Sequence, residues 1–263
     1  MNFTEYQGAR VAYRTDGSGP ALVLVHGTGG DSESNWSALA EPLSEDWTVI
    51  RPDYAGSGAT RDDGRRLSVD DLAGQVMAAV DAAGAEDFHL VGFSLGAAVA
   101  LRIAADHGAR VRSLVLLAGF LTPDPRLKLE FELWRDLIAT DRRAMARLVL
   151  LTGFSPDAIS QMGFDGVQQA AEETFRNADW DGMARQVELD LDIDVSDTPG
   201  RIRSPTLVIG CTHDHMVAPS HARALASAIA GAGYAELPTG HLAPMERPDL
   251  LTEQLRSFLG SLP

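Results

Sequence analysis

The chain has 263 residues, 45% of them hydrophobic, which is enough for one large α/β domain or for a core with a small appended layer. Its formal net charge is −15 and it has no basic stripe, so nucleic acid and anionic membrane surfaces are poor partners for it. The single cysteine excludes an intrachain disulfide. The sequence shows neither a signal-peptide pattern nor the roughly 18 consecutive apolar residues of a membrane span, which predicts a cytoplasmic protein.

Short apolar runs alternate along the chain with stretches of helical periodicity. The predicted strands are 11–15, 21–25, 47–50, 88–91, 114–117, 206–209 and 234–237. The predicted helices between and after them are 34–44, 68–83, 95–105, 219–230 and 248–259. This alternation predicts an α/β fold, with a mostly parallel central sheet and helices on both of its faces.

One long segment interrupts the alternation. Residues 121–199 contain no convincing strand pattern but have helical runs at 127–139, 142–151, 166–177 and 183–190. A single crossover between two strands needs far fewer residues. We therefore predict a core formed by 1–120 and 200–263 and an inserted helical cap, or lid, formed by 121–199. Ordinary crossover helices are the alternative interpretation.

Residues 92–96, Gly-Phe-Ser-Leu-Gly, lie where a predicted strand gives way to a predicted helix. A G-x-S-x-G at such a junction forces a sharp turn and holds the serine hydroxyl clear of the backbone. The amide of Leu95 then begins the helix, where unpaired N–H groups and the helix dipole favour negative charge. The motif alone has low specificity, so the rest of the chain must support a nucleophile at Ser94.

A glycine-rich turn, residues 26–30 (His-Gly-Thr-Gly-Gly), follows the predicted strand 21–25. Such a turn can present the free backbone N–H groups that an oxyanion hole requires. A phosphate-binding loop is the competing interpretation, but the chain has no G-x-x-x-x-G-K-[ST], and its lysine, Lys128, lies far along the sequence.

Two further candidates follow the last two predicted strands. Asp214 comes just after 206–209, and His241 comes just after 234–237. The carboxyl ends of parallel strands share one sheet edge, so we expect both residues near Ser94. The order Ser, Asp, His suits this architecture. His241 can take the proton of Ser94, and Asp214 can orient the imidazole.

The remaining polar residues point away from metal or cofactor chemistry. His213 and His215 flank Asp214, but this cluster is too sparse for a zinc hydrolase, so we expect no metal and no cofactor. His26 is predicted to bond loop backbone, and Cys211 to be a buried small hydrophobe. Aromatic residues in the predicted cap favour a largely apolar substrate.

Taken together, the motifs resemble the α/β-hydrolase superfamily, and in particular its capped esterase and enol-lactonase branch. The matching segments are 26–30, 53–58 (Asp-Tyr-Ala-Gly-Ser-Gly), 92–96, Asp214, and Gly-His at 240–241 followed by Glu-Arg-Pro at 246–248. The resemblance implies the α/β-hydrolase fold, with Ser94 as nucleophile, Asp214 as acid and His241 as base. It implies oxyanion donors at the amides of Leu95 and Thr28, with Gly29 as an alternative to Thr28.

The predicted function is that of a serine hydrolase. It would cleave an ester, lactone or thioester of a small, largely apolar substrate through an acyl-enzyme on Ser94. One alternative is a carbon–carbon hydrolase or lyase that reuses the same triad. Another is a noncatalytic ligand-binding or cyclase protein on the same scaffold. The expected partner is a small-molecule substrate, neither nucleic acid nor membrane, and the sequence leaves a homo-oligomer open.

Overall fold

An eight-stranded sheet lies at the centre of the computed structural model, which describes residues 1–262. The strands are β1 (Asn2–Tyr6), β2 (Ala9–Asp16), β3 (Ala21–Val25), β4 (Thr48–Asp53), β5 (Phe88–Phe93), β6 (Val111–Leu117), β7 (Thr206–Cys211) and β8 (Gly233–Leu237). Their spatial order is β1-β2-β4-β3-β5-β6-β7-β8. β3 to β8 run parallel, whereas β2 pairs antiparallel with β1 and β4, which confirms the predicted mostly parallel sheet.

Helices cover both faces of this sheet, as predicted. They are α1 (Ser37–Ser44), α2 (Val69–Ala82), α3 (Leu95–Asp106), α4 (Pro125–Thr140), α5 (Arg142–Gly153), α6 (Pro156–Asn177), α7 (Trp180–Asp190), α8 (Pro219–Ala228), α9 (Ala243–Glu246) and α10 (Pro248–Gly260). Side chains of α2, α3 and α8 belong to the hydrophobic core on one face, and those of α1 and α10 to the core on the other. Within residues 1–262, no helix combines the length and the apolar character that crossing a membrane requires.

The apolar run of β3 is explained by burial on both faces. Leu22 and Leu24 pack in the core beneath α1 and α10, whereas Val23 and Val25 pack in the core beneath α2 and α3. All four side chains are inaccessible to solvent. Side chains alternate between the faces of a strand, so a strand covered on both sides has no polar positions.

Four helices, α4 to α7, lie between β6 and β7, in the segment 121–199. Each begins at a capping side chain that accepts a hydrogen bond from a backbone N–H three residues later: Asp124, Asp141, Ser155 and Asp179. Three of the four helices begin earlier than predicted. The largest difference is in α6, where Pro156 occupies the first turn and a single break occurs at Gly163, with φ of 66°.

The edge strand β1 was not predicted. It pairs with β2 through a two-residue turn at Gln7 and Gly8, both with positive φ, which is the backbone of a tight hairpin. β1 contains the polar residues Thr4 and Glu5 and is mostly exposed, so its apolar pattern is weak. The apolar pattern of the sequence therefore predicts the buried inner strands of this sheet better than its exposed edge strand.

A close backbone contact joins β5 to α3. A Cβ atom at Gly92 would lie 2.2 Å from the carbonyl oxygen of Gly96 and 2.7 Å from the Cβ of Ala100. Both distances are well below van der Waals contact, so the helix can cross the strand here only over a residue without a side chain.

We predict that Gly92→Ala destabilises the fold by about 2–3 kcal/mol, because the added methyl group must push α3 away from β5. The matched control is Gly200→Ala, since a Cβ there meets no atom within 4 Å and the φ of Gly200 is not positive. Urea denaturation followed by circular dichroism measures both. Equal midpoints for the two variants would contradict the steric argument.

Candidate active site

Ser94 lies on a sharp turn between β5 and α3, with φ of 56° and ψ of −121°. A positive φ is uncommon and strained in any residue other than glycine. The turn is held by the Ser94 amide, which donates to the carbonyl of Leu117 at 2.9 Å. A Cβ at Gly96 would lie 2.4 Å from the carbonyl oxygens of both Val25 and His26, so the start of α3 sits directly against the end of β3.

The structure brings Ser94, His241 and Asp214 together in one hydrogen-bonded chain. His241 Nε2 lies 3.0 Å from Ser94 Oγ, and His241 Nδ1 lies 2.7 Å from Asp214 Oδ2. A carboxylate at Nδ1 selects the tautomer with its proton on Nδ1, which leaves Nε2 free to accept from the serine hydroxyl. Each residue follows a different strand (β5, β8 and β7), and all three strands end at the same sheet edge.

Asp214 is fixed by the loop in which it lies. Its Oδ1 accepts hydrogen bonds from the amides of Met216 at 2.9 Å and Val217 at 2.8 Å, while Oδ2 faces His241. The side chain is almost completely buried. Both carboxylate oxygens therefore have partners, and the position of the carboxylate is set by backbone rather than by solvent.

The loop that carries His241 is tied to the junction between α5 and α6. The Leu242 amide donates to the carbonyl of Gly153 at 2.8 Å. The Glu246 carboxylate accepts from the amides of Gly240 at 3.0 Å and Ser155 at 2.9 Å, and from the Ser155 hydroxyl at 2.6 Å. Glu246 was noted in the sequence only as part of a motif, and nothing in the pattern indicated its contact with the inserted helices.

The backbone amides of the predicted oxyanion residues differ in whether they already donate a hydrogen bond. Gly29 N–H donates to Gln186 Oε1 at 2.8 Å, so this amide is already engaged. Within residues 1–262 the amides of Thr28 and Leu95 have no hydrogen-bond partner. Of the two alternatives, Thr28 and Gly29, the geometry favours Thr28. The engagement of Gly29 depends on a side chain more than 150 positions later, so sequence reasoning could not separate the two.

His26 supports the glycine-rich turn from behind. Its imidazole Nδ1 lies 2.9 Å from the carbonyl of Gly27, and its own carbonyl accepts from the Tyr54 hydroxyl at 2.7 Å. The two rings stack with centroids 3.9 Å apart. Complete burial lowers the pKa of His26 below its usual value. A neutral imidazole in this position is consistent with the structural role predicted for it.

A cavity of about 490 Å³ lies above Ser94 and His241. Helices α4 to α7 all line it, with the apolar side chains of Phe131, Trp134, Val149, Leu150, Ala170, Trp180 and Met183. α6 also contributes the polar residues Glu173, Thr174 and Asn177. The turns after β3, β4 and β7 complete its wall. A cavity of this size and lining suits a small molecule with a large apolar part.

Other reactive side chains lie outside this arrangement. Cys211 is buried, and burial raises the pKa of its thiol to about 12, so it remains protonated and unreactive. Among residues 1–262, no group of three or more histidine, cysteine or acidic side chains could hold a metal ion. Ser94 is thus the nucleophile candidate that has both a base and a cavity.

Comparison with known proteins identifies the family of the chain. The family model described as alpha/beta hydrolase fold matches residues 20–248. Pyrrolizixenacetamide deacetylase from Xenorhabdus hominickii is 57% identical over 260 residues, which cover 98% of each chain. Among solved structures, the enol-lactonase from Burkholderia xenovorans LB400 is 27% identical, with a TM-score of 0.88 over 99% of this chain and all of that one. A hydrolase from Pseudomonas aeruginosa PA01 is also 27% identical, with a TM-score of 0.86 over 99% of this chain and 98% of that one.

The fold, the family match and the relatives agree with one another. The segment that the family model matches, residues 20–248, contains the six parallel strands β3 to β8 and the serine turn after β5. The three named relatives are a deacetylase, an enol-lactonase and a hydrolase. The chain therefore belongs to the α/β-hydrolase family and is a hydrolase of that family.

Proposed function

We propose that the protein is a serine hydrolase that removes an acetyl group from the amide nitrogen of a small, largely apolar molecule. The observation that carries the proposal is the hydrogen-bonded chain of Ser94, His241 and Asp214 at the floor of an apolar cavity. The bonds considered from the sequence were ester, lactone and thioester. The deacetylase relative, at 57% identity, favours an amide instead.

The first half of the reaction forms an acetyl-enzyme. The proton of Ser94 Oγ passes to His241 Nε2 as the oxygen attacks the acetyl carbonyl carbon, and Asp214 stabilises the resulting imidazolium. The carbonyl oxygen gains negative charge and accepts hydrogen bonds from the free amides of Thr28 and Leu95. Because an amide anion is a poor leaving group, His241 then gives its proton to the nitrogen while the carbon–nitrogen bond breaks.

The second half releases acetic acid. Water loses a proton to His241 and attacks the acetyl carbon, and the same two amides again accept the oxyanion. The bond to Ser94 Oγ breaks, the proton returns to this oxygen, and acetic acid leaves. The net reaction consumes one water and yields an amine and acetic acid, so it needs no cofactor.

We assign the role of a cap to residues 121–199. Phe131, Trp134, Trp180 and Met183 come from this segment, and they line the cavity above Ser94. An acetyl group is small, so most of the cavity is available to the amine-bearing part of the substrate. Apolar walls around that part would exclude water and orient the carbonyl toward the Thr28 amide.

A fluorophosphonate probe is expected to label Ser94 stoichiometrically, since it captures a serine that a neighbouring histidine activates. Peptide mass spectrometry locates the label. Ser94→Ala should remove both labelling and hydrolysis of an aryl acetate, whereas Ser160→Ala, which changes an exposed serine on α6, should leave both intact. A label on any other residue would rule out the nucleophile assignment.

Asp214→Asn should lower kcat by about 10⁴-fold, because an amide at this position no longer selects the reactive tautomer of His241. The melting temperature should change little, since the carboxamide keeps an acceptor for the amides of Met216 and Val217. Asp249→Asn alters an exposed carboxylate and provides the control. Turnover near that of the unaltered protein would show that Asp214 does not orient the base.

Matched substrates test the bond type. An aryl acetamide, the corresponding acetate ester and a β-diketone with the same aryl group should be compared by kcat/KM, together with the propionamide and benzamide. We expect acetamide hydrolysis, with a decline for the larger acyl groups. Hydrolysis of the ester alone would reject removal of acetyl from nitrogen but keep the serine mechanism. Cleavage of the diketone alone would indicate a carbon–carbon hydrolase.

A further inference from the structure

Two buried polar side chains of α7 reach the glycine-rich turn after β3. Gln186 and Asp190 are four residues apart, so they lie one above the other on the same face of the helix. Gln186 is 0% exposed and Asp190 is 1% exposed. Neither side chain belongs to the hydrogen-bonded chain of Ser94, His241 and Asp214.

Gln186 joins α7 to two turns at once. Its Oε1 accepts from the Gly29 amide at 2.8 Å. Its Nε2 donates to the Ser57 hydroxyl at 2.7 Å and to the carbonyl of Gly56 at 3.2 Å, in the loop after β4. One carboxamide therefore fixes the distance between the two turns and the inserted helix.

Asp190 holds the adjacent residue. Its Oδ2 accepts from the Thr28 hydroxyl at 2.6 Å, while its Oδ1 has no hydrogen-bond partner within residues 1–262. Burying a carboxyl group with a single hydrogen bond costs stability, and an apolar side chain of the same size would avoid that cost. Packing alone therefore does not account for an acidic residue here.

Resting on the proposed function, we infer that Gln186 and Asp190 are positioning residues that aim the Thr28 amide at the substrate carbonyl. Asp190 fixes the side chain of Thr28, and Gln186 fixes the next amide along the chain. The turn is thereby held at the donor residue itself and at the residue that follows it. Such control matters because a misplacement of about 1 Å in a catalytic group can cost about 10²-fold in rate.

The charge of Asp190 gives this arrangement a pH dependence. Burial raises the pKa of its carboxyl to about 7, against the opposing effects of the Thr28 hydrogen bond and of His241. Tyr54, whose pKa is raised by burial and by the charges of Asp190 and Asp53, also interacts with this carboxyl group. Above pH 7 Asp190 becomes negative and repels the oxyanion, so the rate should fall as pH rises through this value.

The test compares four variants on an aryl acetate. Asp190→Leu and Gln186→Leu should each lower kcat by about 10- to 100-fold with KM within about twofold. The reason is that each substitution weakens a hydrogen bond to the oxyanion, which exists only in the transition state. Asp190→Asn keeps an acceptor for Thr28 without a charge. It should retain kcat at pH 6 within about threefold and should abolish the decline above pH 7. Glu188→Gln, at the exposed position between them, is the control.

Two further measurements separate positioning from folding. Asp190→Leu should melt no lower than the unaltered protein, and its affinity for an aryl boronic acid, a tetrahedral mimic, should fall in parallel with kcat. Unaltered kcat and boronate affinity in both leucine variants would overturn the inference. If a leucine variant fails to fold, an unchanged decline above pH 7 in Asp190→Asn overturns it equally.

Failure of this inference remains distinguishable from failure of the proposed function. Fluorophosphonate labelling of Ser94 in the unaltered protein and in the variants reports the nucleophile by itself. Normal labelling together with unaltered rates in the variants rejects only the positioning role of Gln186 and Asp190 and leaves the serine mechanism in place. Absence of labelling at Ser94 rejects the serine mechanism, whatever the variants do.

Discussion

The close backbone contact between α3 and the two strands β3 and β5 is the constraint on which the site depends. Gly92 allows the helix to cross β5, and Gly96 allows it to rest on the carbonyl oxygens of Val25 and His26. The same contact therefore sets the serine turn and the glycine-rich turn relative to each other. A side chain at either glycine would separate them, so the distance between nucleophile and proposed oxyanion donors is determined by sheet and helix packing.

Helices α4 to α7 do more than line the cavity. The α5–α6 junction anchors the loop of His241 through Gly153 and through Glu246, and α7 anchors the glycine-rich turn through Gln186 and Asp190. Both loops contribute groups to the proposed chemistry. A change of substrate preference made by moving these helices would also move the base or the oxyanion donors, so substrate choice and catalytic geometry are physically coupled in this protein.

Much of this architecture could be read from the sequence, and the exceptions have physical causes. Runs such as that of β3 are apolar throughout because both faces are covered, so the inner strands and the mostly parallel sheet were predictable. β1 was not predicted because an exposed edge strand needs little apolar surface. The helix predicted in the region of α6 was too short because Pro156 and Gly163 are residue types that commonly end helices.

The positions of Ser94, Asp214 and His241 just after predicted parallel strands allowed the prediction that they lie at one edge of the sheet. The partners of Gly29 and Thr28 could not be predicted, since contacts of Gln186 and Asp190 across more than 150 residues leave no local periodicity.

The burial of Cys211 has a practical consequence for spectroscopy. The chain has one cysteine, Cys211, and this residue is 1% exposed, so its thiol is shielded from maleimide reagents under native conditions. A cysteine introduced at an exposed position of α6 would then carry a fluorophore or spin label at a single site, without prior removal of the native thiol. With a second cysteine introduced on the exposed surface of the core, the distance between the two labels would report directly whether α4 to α7 move when a ligand enters the cavity.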